Sequence, residues 1–419
     1  MDHPVEVEIH DVAYGGDGVG RLADGRAVFV PFSAVGDRLL VRLATRHRRF
    51  ARGTIAEVLE PGPNRAEPRC PYYGDCGGCC YQHLAADEQV RLKSAQLRGL
   101  LERIGGILQL PPLDEARPAP EAYGYRNKIS LKPVPSGAPG SAWGYTRRDN
   151  RSILPIESCP IARPELNAKL AALRASGEAA RWPSRGPETD KLVLRRSSSG
   201  EVLAFRIPPE TLLTEKVLDR PLRVPAGGFF QVNAPVLDRL AGWLRDAYRG
   251  LAVETLVDGY CGCGVFALCL AEFTAGEVIG IESDPASVRC AEENAREGAL
   301  ARRSPERSRM GEGGLQRCKF VGGAVEDYLE PALKSAPDLN RAAVLLDPPR
   351  TGCQAETLDA LVRLAPQTII LLSCNPATLA RDLARLQVGR TYDLRRLALF
   401  DMFPQAAYFE AGAILGKRA

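Results

Sequence analysis

Cys374 follows the apolar run Thr368-Ile369-Ile370-Leu371-Leu372 and Ser373, and Asp347 closes a second such run in AAVLLDPPR. Runs of this length and β-branched content read as strands buried on both faces, and Asn375-Pro376 and Pro348-Pro349 end them. Both side chains therefore stand at the carboxyl edge of a strand, where open α/β sheets bind ligands. A thiolate is a soft nucleophile and a carboxylate a hydrogen-bond acceptor or proton carrier, so the pair can serve one cleft.

A third strand end carries a different signal. In TLVDGYCGCGVFALCLA the strand ends at Asp258, and Gly262-Cys263-Gly264 lead into a helix, which lets a ligand approach bare backbone. The next strand, in EVIGIESD, finishes with Glu282, placed to accept hydrogen bonds from ribose hydroxyls. A dinucleotide or S-adenosylmethionine fits this pair of features. The turn lacks the full G-x-G-x-x-G, which favours the methyl donor.

The chain has 12 cysteines and no apolar, small-residue leader, so disulfides are not expected and ligation or catalysis is. Cys70-Pro71-x4-Cys76-x2-Cys79, completed by Cys159-Pro160, offers four thiolates, enough for a [4Fe-4S] cluster or a tetrahedral zinc. Spacing alone leaves both open. Cys80 is a spare.

The elements that must position these groups fall into three segments. Residues 1 to 60 alternate apolar and polar in VEVEIHDV, turn through YGGDGVGR, and resume in AVFVPF, RLLVRL and TIAEVLEP, as a small β-barrel would. Residues 61 to 225 hold the cysteines, a helix with Val90, Leu97, Leu101 and Ile104 on one face, and strand-like pieces without a repeat. From 226 to 419 apolar strands alternate with helical stretches, which predicts an α/β fold with a doubly wound parallel sheet. The polar stretch at 301 to 317 reads as a flexible insert.

The 45% hydrophobic fraction is that of a soluble chain, and no run of eighteen apolar residues suggests a membrane span, so a cytoplasmic location is expected. A net charge of +4 does not by itself demand a nucleic acid. The local run Arg46-His47-Arg48-Arg49, with Arg52 nearby, is the candidate for phosphate contacts.

Taken jointly, the barrel-like start, the four cysteines, GFFQVN at 228–233, DGYCGCG, DPPR, SCNPATLARD and DMFPQAAYFE resemble the TRAM-domain-containing RNA uracil-5-methyltransferases of the RlmD and RlmCD type. The resemblance covers nearly the whole chain. It implies a TRAM barrel, a central α+β domain with an iron-sulfur cluster, and a Rossmann-like methyltransferase domain. It also implies Cys374 as nucleophile, Glu410 as general base, and Cys70, Cys76, Cys79 and Cys159 as [4Fe-4S] ligands. Gln231, Tyr260, Glu282 and Asp347 match positions that hold S-adenosylmethionine, with Gln231 and Asp347 also near the target base. Val265 and Ala324 stand where relatives carry polar residues, and Gln405 and Tyr408 where histidine is common.

Uracil C5 is a weak nucleophile, so a thiolate first adds at C6, and a base afterwards removes the C5 proton. The target must leave its stack to reach a buried thiol. Barrel plus cluster points to 23S rRNA, with tRNA as the alternative RNA; a monomer without a protein partner is expected. Two other readings are an RNA-binding iron-sulfur protein with a degenerate methyltransferase domain, and a NAD-dependent oxidoreductase, which gives Cys374 no paired base.

Overall fold

The computed structural model describes residues 3–134, 143–178, 191–301 and 317–418, so most of the expected insert lies outside the described residues. Strands β1 (Val5–Val12), β2 (Asp17–Arg21), β3 (Ala27–Pro31), β4 (Arg38–Arg46) and β5 (Phe50–Glu60) close into a barrel in the order β1-β2-β3-β5-β4. The period-two alternation turns Val7, Ile9, Val28, Val30, Leu39 and Val41 inward. Fully buried Asp37 ties the barrel to the following segment, accepting from Arg65 Nη2 at 2.6 Å and from the Gly62 amide at 2.8 Å.

Helix α1 (Ala86–Arg103) buries Val90, Leu97 and Leu101 against Leu379, Ala380 and Leu383, so it shares the core of the C-terminal sheet. Ile104, expected on the same face, is 47% exposed. Ile104 is the C-cap, with helical φ and ψ and its amide donating to the Leu100 carbonyl oxygen, yet its side chain is left open to solvent. Strands β6 (Lys128–Pro133), β7 (Trp143–Thr146), β8 (Ile153–Pro155), β9 (Leu192–Arg196) and β10 (Val202–Phe205) form an antiparallel sheet in the order β10-β9-β6-β7-β8. Helix α2 (Pro164–Ser176) covers it with Leu166, Leu170 and Leu173. A hairpin of β11 (Leu212–Val217) and β12 (Arg220–Pro225) follows.

The last segment begins with α3 (Ala234–Arg249) and alternates β13 (Thr255–Gly259), α4 (Val265–Leu270), β14 (Val278–Glu282), α5 (Pro285–Ala301), β15 (Cys318–Gly322), α6 (Val325–Lys334), β16 (Ala342–Leu346), α7 (Ala355–Leu364), β17 (Thr368–Ser373) and α8 (Pro376–Arg385) before β18 (Tyr392–Phe400) and β19 (Glu410–Lys417). The strand order is β15-β14-β13-β16-β17-β19-β18. Strands β13 to β17 are parallel as expected, but β19 runs antiparallel to both β17 and β18, so the sheet is mixed. Chain order reverses across β13 and β16, and ligands of such sheets bind beyond the carboxyl ends at that point. Among the described residues no helix is long and apolar enough to cross a membrane.

Candidate active site

A cavity of about 800 Å³ opens at this switch point, and Gln231, Tyr260, Glu282, Asp347, Cys374 and Glu410 all line it. The six come from six separate stretches of chain, five of them at strand ends of the sheet.

The glycine turn forms the floor. Gly262 and Gly264 have φ of +54° and +79°, and a Cβ on Gly264 would stand 3.1 Å from the Phe320 ring. Glu282 spans the turn: its Oε2 accepts from the Gly262 amide at 3.0 Å and its Oε1 from the Asp284 amide at 2.8 Å. Asp258, not singled out as a ligand from the sequence, is fully buried and accepts from the Ala267 amide at 2.8 Å, serving the open first turn of α4. Its position at the end of the β13 run was the available signal. Tyr260 sits at φ +64°, which swings its ring toward a smaller cavity of about 140 Å³ lined also by Ser283, Ala324, Glu326 and Gln354. Ala324 gives that cavity no side-chain acceptor, as its type implies.

The reactive pair arises from strand register. Ser373 of β17 pairs with Ala411 of β19, so the next position on each strand puts Cys374 opposite Glu410. Because β19 is antiparallel, its first residue emerges at the edge where the parallel strands end. Asn375 then caps α8, accepting from the Ala377 amide at 3.1 Å, and its Nδ2 donates to the Arg350 carbonyl oxygen at 3.1 Å. That second bond ties the loop after β17 to the loop after β16.

Burial, and then the charge of Glu410, push the Cys374 thiol up to about 11, while Arg350, which hydrogen-bonds the sulfur, opposes them. Glu410 is 2% exposed, and its Oε1 has no hydrogen-bond partner among the described residues. Burial holds its carboxyl well above the usual range, the Asp347 charge adds to this, and Arg350 counters it. Burial raises Asp347 to about 7. Arg350 is thus the cation of the site, a role its place in DPPR signalled only by adjacency; its guanidinium also lies 4.5 Å from the Tyr408 ring centre.

The neighbouring segments hold the rim. Asn127 of the central segment donates to the Gln231 carbonyl oxygen at 3.2 Å. Gln405 is buried at φ +69°, its carbonyl oxygen accepting from the Cys80 and Tyr81 amides at 3.0 and 2.9 Å, and its side chain meeting Gln89 at 3.1 Å. Lys93 of α1 forms a buried ion pair with Asp401 at 2.6 Å, and its Nζ also donates to the Phe403 carbonyl oxygen at 3.1 Å. These bonds fix the loop that leads into Glu410.

Cys70, Cys76, Cys79 and Cys159 line a second cavity of about 260 Å³. Asn167 brackets Cys159, accepting from its amide at 2.9 Å and donating to its carbonyl oxygen at 3.0 Å, and the Cys70 amide donates to Gln82 Oε1 at 3.1 Å. Burial raises the Cys79 thiol to about 12 and raises Cys70 and Cys76 as well. Among the described residues no group of three or more His, Cys, Asp or Glu side chains is arranged to hold a metal ion. On the barrel, Arg48 and Arg49 are exposed, whereas Arg52 is paired with Asp17 at 2.8 Å.

Residues 214–418 match the tRNA (uracil-5-)-methyltransferase family and residues 4–56 the TRAM domain. The chain is 32% identical to an uncharacterized RNA methyltransferase of Gloeobacter violaceus, over 99% of this chain and 96% of the relative. It is 29% identical to the 23S rRNA (uracil(1939)-C(5))-methyltransferase RlmD of Alkalilimnicola ehrlichii, over 99% and 97%. It is also 29% identical to the tRNA (uracil(54)-C(5))-methyltransferase of Schizosaccharomyces pombe, over 99% of this chain and 78% of that one. The fold is similar to that of the crystal structure of Pyrococcus abyssi tRNA (uracil-54, C5)-methyltransferase in complex with S-adenosyl-L-homocysteine, with a TM-score of 0.70 at 22% identity over 98% and 99% of the two chains.

Proposed function

This chain belongs to the TRAM-domain RNA uracil-C5 methyltransferases, and from that premise we propose that it makes 5-methyluridine in 23S rRNA through a covalent bond between Cys374 and uracil C6. The observation that carries this reading is the cross-strand apposition of Cys374 and Glu410 in the cavity that also holds the glycine turn. In the oxidoreductase alternative this pairing has no use.

The Cys374 thiolate adds at C6 and pushes electron density toward C5 and O4. Arg350 offsets the cost of charging a buried thiol. Asp347, protonated below about 7, donates a hydrogen bond to the oxygen where charge develops, and Gln231 orients the base from the opposite wall. When bound, S-adenosylmethionine supplies the methyl group that C5 takes up. The cavity fits it: bare backbone at Gly262, a carboxylate at Glu282, and a side cavity beside Tyr260. Glu410 then removes the C5 proton, the C5 electrons restore the double bond, and the Cys374–C6 bond breaks to release the thiolate. Burial makes Glu410 a stronger base than an exposed carboxylate, which suits that step.

Cys70, Cys76, Cys79 and Cys159 line one cavity and match a [4Fe-4S] cluster in ligand type and number, although their side chains are not gathered at metal-binding distance, and we propose that they hold it. Methyl transfer is redox-neutral, so the group serves as a staple between two loops and takes no part in the reaction. Exposed Arg48 and Arg49, with Arg46, supply the barrel's phosphate contacts.

A tRNA substrate is the second reading, since the chain is 29% identical both to the Schizosaccharomyces pombe tRNA enzyme and to the RlmD relative. Mass-spectrometric mapping of 5-methyluridine in 23S rRNA and tRNA, with and without the gene, decides between them. Loss of one 23S site is the expected result. Loss in tRNA alone favours the second reading, and no change in either RNA overturns both.

A further inference from the structure

We infer that Tyr14, on the turn between β1 and β2, forms with Tyr408 a stacking site for the nucleobase adjacent to the target uridine. The inference rests on the proposed methylation of an RNA uridine. It assigns to the barrel a part in the active site beyond general attraction of the RNA backbone.

Tyr14 belongs to the barrel by sequence, yet it is half-buried and packs against the apolar cluster of the C-terminal sheet that includes Phe409 and Ala411. Its turn is tight, with the Ala13 amide donating to the Asp17 carbonyl oxygen at 2.9 Å and the Gly16 amide to that of Ala13 at 3.0 Å. Gly16 has a φ of +104°, and a Cβ there would stand 3.0 Å from Cys80 Sγ, so the turn abuts the Cys80-Tyr81 segment closely. That segment is bound through its amides to Gln405, three residues before Tyr408. From α1, Gln96 Nε2 donates to the Val12 carbonyl oxygen at 2.9 Å and fixes the strand leading into the turn. The barrel's turn is therefore locked onto the loop that delivers Glu410.

At this junction Tyr14 comes within electrostatic range of the reactive groups. Burial raises its hydroxyl to about 12, and the groups that act on it next are Tyr408 and Cys374, with Arg350 opposing. Tyr408 is 42% exposed, one face covered by the Arg350 guanidinium at 4.5 Å, and Arg350 lines the same cavity as Cys374. Tyr408 thus lies over an arginine that lines the cavity, on the loop to which the Tyr14 turn of the barrel is joined through Cys80 and Gln405.

A uridine drawn into this cavity leaves its neighbour with an exposed face. Aromatic and guanidinium planes are the groups that satisfy such a face, without regard to base identity. A tyrosine hydroxyl can also donate to a phosphate oxygen, and Tyr14→Phe, which keeps the ring and removes the hydroxyl, separates that contact from stacking.

The test uses the full-length protein and two synthetic 23S rRNA hairpins with 5-fluorouridine at the target position, one natural and one with abasic residues on both sides of it. Covalent adduct is measured for wild type, Tyr14→Phe and Tyr14→Ala, with thermal melting and S-adenosylhomocysteine calorimetry as checks on the fold. Tyr14→Ala should lose about tenfold in apparent RNA affinity on the natural hairpin and nothing further on the abasic one, while Tyr14→Phe keeps wild-type values on both. Equal loss on both hairpins, or none on either, overturns the stacking site while leaving uridine methylation standing. A wild-type protein that forms no adduct with either hairpin overturns the 23S uridine reading, and this inference with it.

Discussion

Arg195 donates from Nη1 to the carbonyl oxygen of Gly228 at 2.9 Å, from a side chain that is 1% exposed. The same nitrogen reaches the carbonyl oxygens of Pro225 and Ala226 at 3.0 and 3.1 Å. Gly228 opens the stretch Phe229-Phe230-Gln231 that lines the active-site cavity. A strand of the central sheet therefore holds the loop that presents Gln231. The guanidinium is balanced by Glu215, also buried, at 3.5 Å.

Removing one partner of that pair leaves the other charge buried, so Arg195→Met should lose about 3–5 kcal/mol of stability in denaturant unfolding. The double variant Arg195→Met, Glu215→Met should recover most of it, because no lone charge remains. It should still bind RNA and S-adenosylhomocysteine more weakly than wild type, since the three carbonyl contacts are gone. A double variant with wild-type affinity for both would show that the loop holds its place unaided.

The strand ends were legible in the sequence because four apolar runs stop at Asp258, Glu282, Asp347 and Cys374, and the period of a buried strand depends on local residue type. The reversal at β19 was not. EAGAILGK has the composition of a buried strand in either direction, and only pairing with β17 and β18 fixes its sense. The Cys374–Glu410 pairing, implied by resemblance alone at first, follows from that reversal. Arg350 and Tyr14 were missed for a related reason. An arginine in a loop and a tyrosine in a turn carry no periodic signal, and their importance comes from what folding sets beside them. Ile104 fails in the opposite sense, since it keeps the helical conformation as C-cap and periodicity does not say where the covering core ends.

Anaerobically purified protein should contain about four irons per chain, with a broad absorption band near ~400 nm of the iron-thiolate type. Cys79→Ser should lower both, and should lower the melting temperature because the loops joined through Cys70, Cys76, Cys79 and Cys159 lose their staple. Stoichiometric zinc without that band would replace the cluster by a tetrahedral zinc site on the same thiols.

Asp347 gives a pH signature for stability. Its folded value, raised by burial to about 7 from 3.8, means that the native state holds this proton more tightly than the unfolded chain does. Its stabilising contribution is complete at low pH and is lost as pH rises from the unfolded value through about 7. Asp347→Asn removes that dependence. The variant should nearly match wild type near pH ~4 and exceed it by about 4 kcal/mol near pH ~8, or roughly 8–16 °C in Tm, while losing methyl transfer. Parallel stability curves for the two proteins across this range would place the Asp347 carboxyl in water.

Cys374 and Glu410 stand opposite one another but should fail at different steps. Cys374→Ala should bind RNA and donor yet form neither adduct nor 5-methyluridine, because addition at C6 comes first. Glu410→Gln should add, accept the methyl group and stall, since the C5 proton has lost its acceptor. Loss of a general base typically slows a step by roughly 10²- to 10⁴-fold, enough for the adduct to persist on denaturing gels. In wild type the adduct rate should climb with pH on the alkaline side of neutrality, because the thiol titrates at about 11 and only its anion adds. Arg350→Met removes the cation that favours the thiolate and should shift that climb to higher pH, an effect a merely structural role for Arg350 would not produce. RNA carrying 5-fluorouridine should trap the same species with wild type, fluorine standing where Glu410 would take a proton. A Glu410→Gln protein that turns over at the wild-type rate, or a Cys374→Ala protein that still forms the adduct, would reverse these roles.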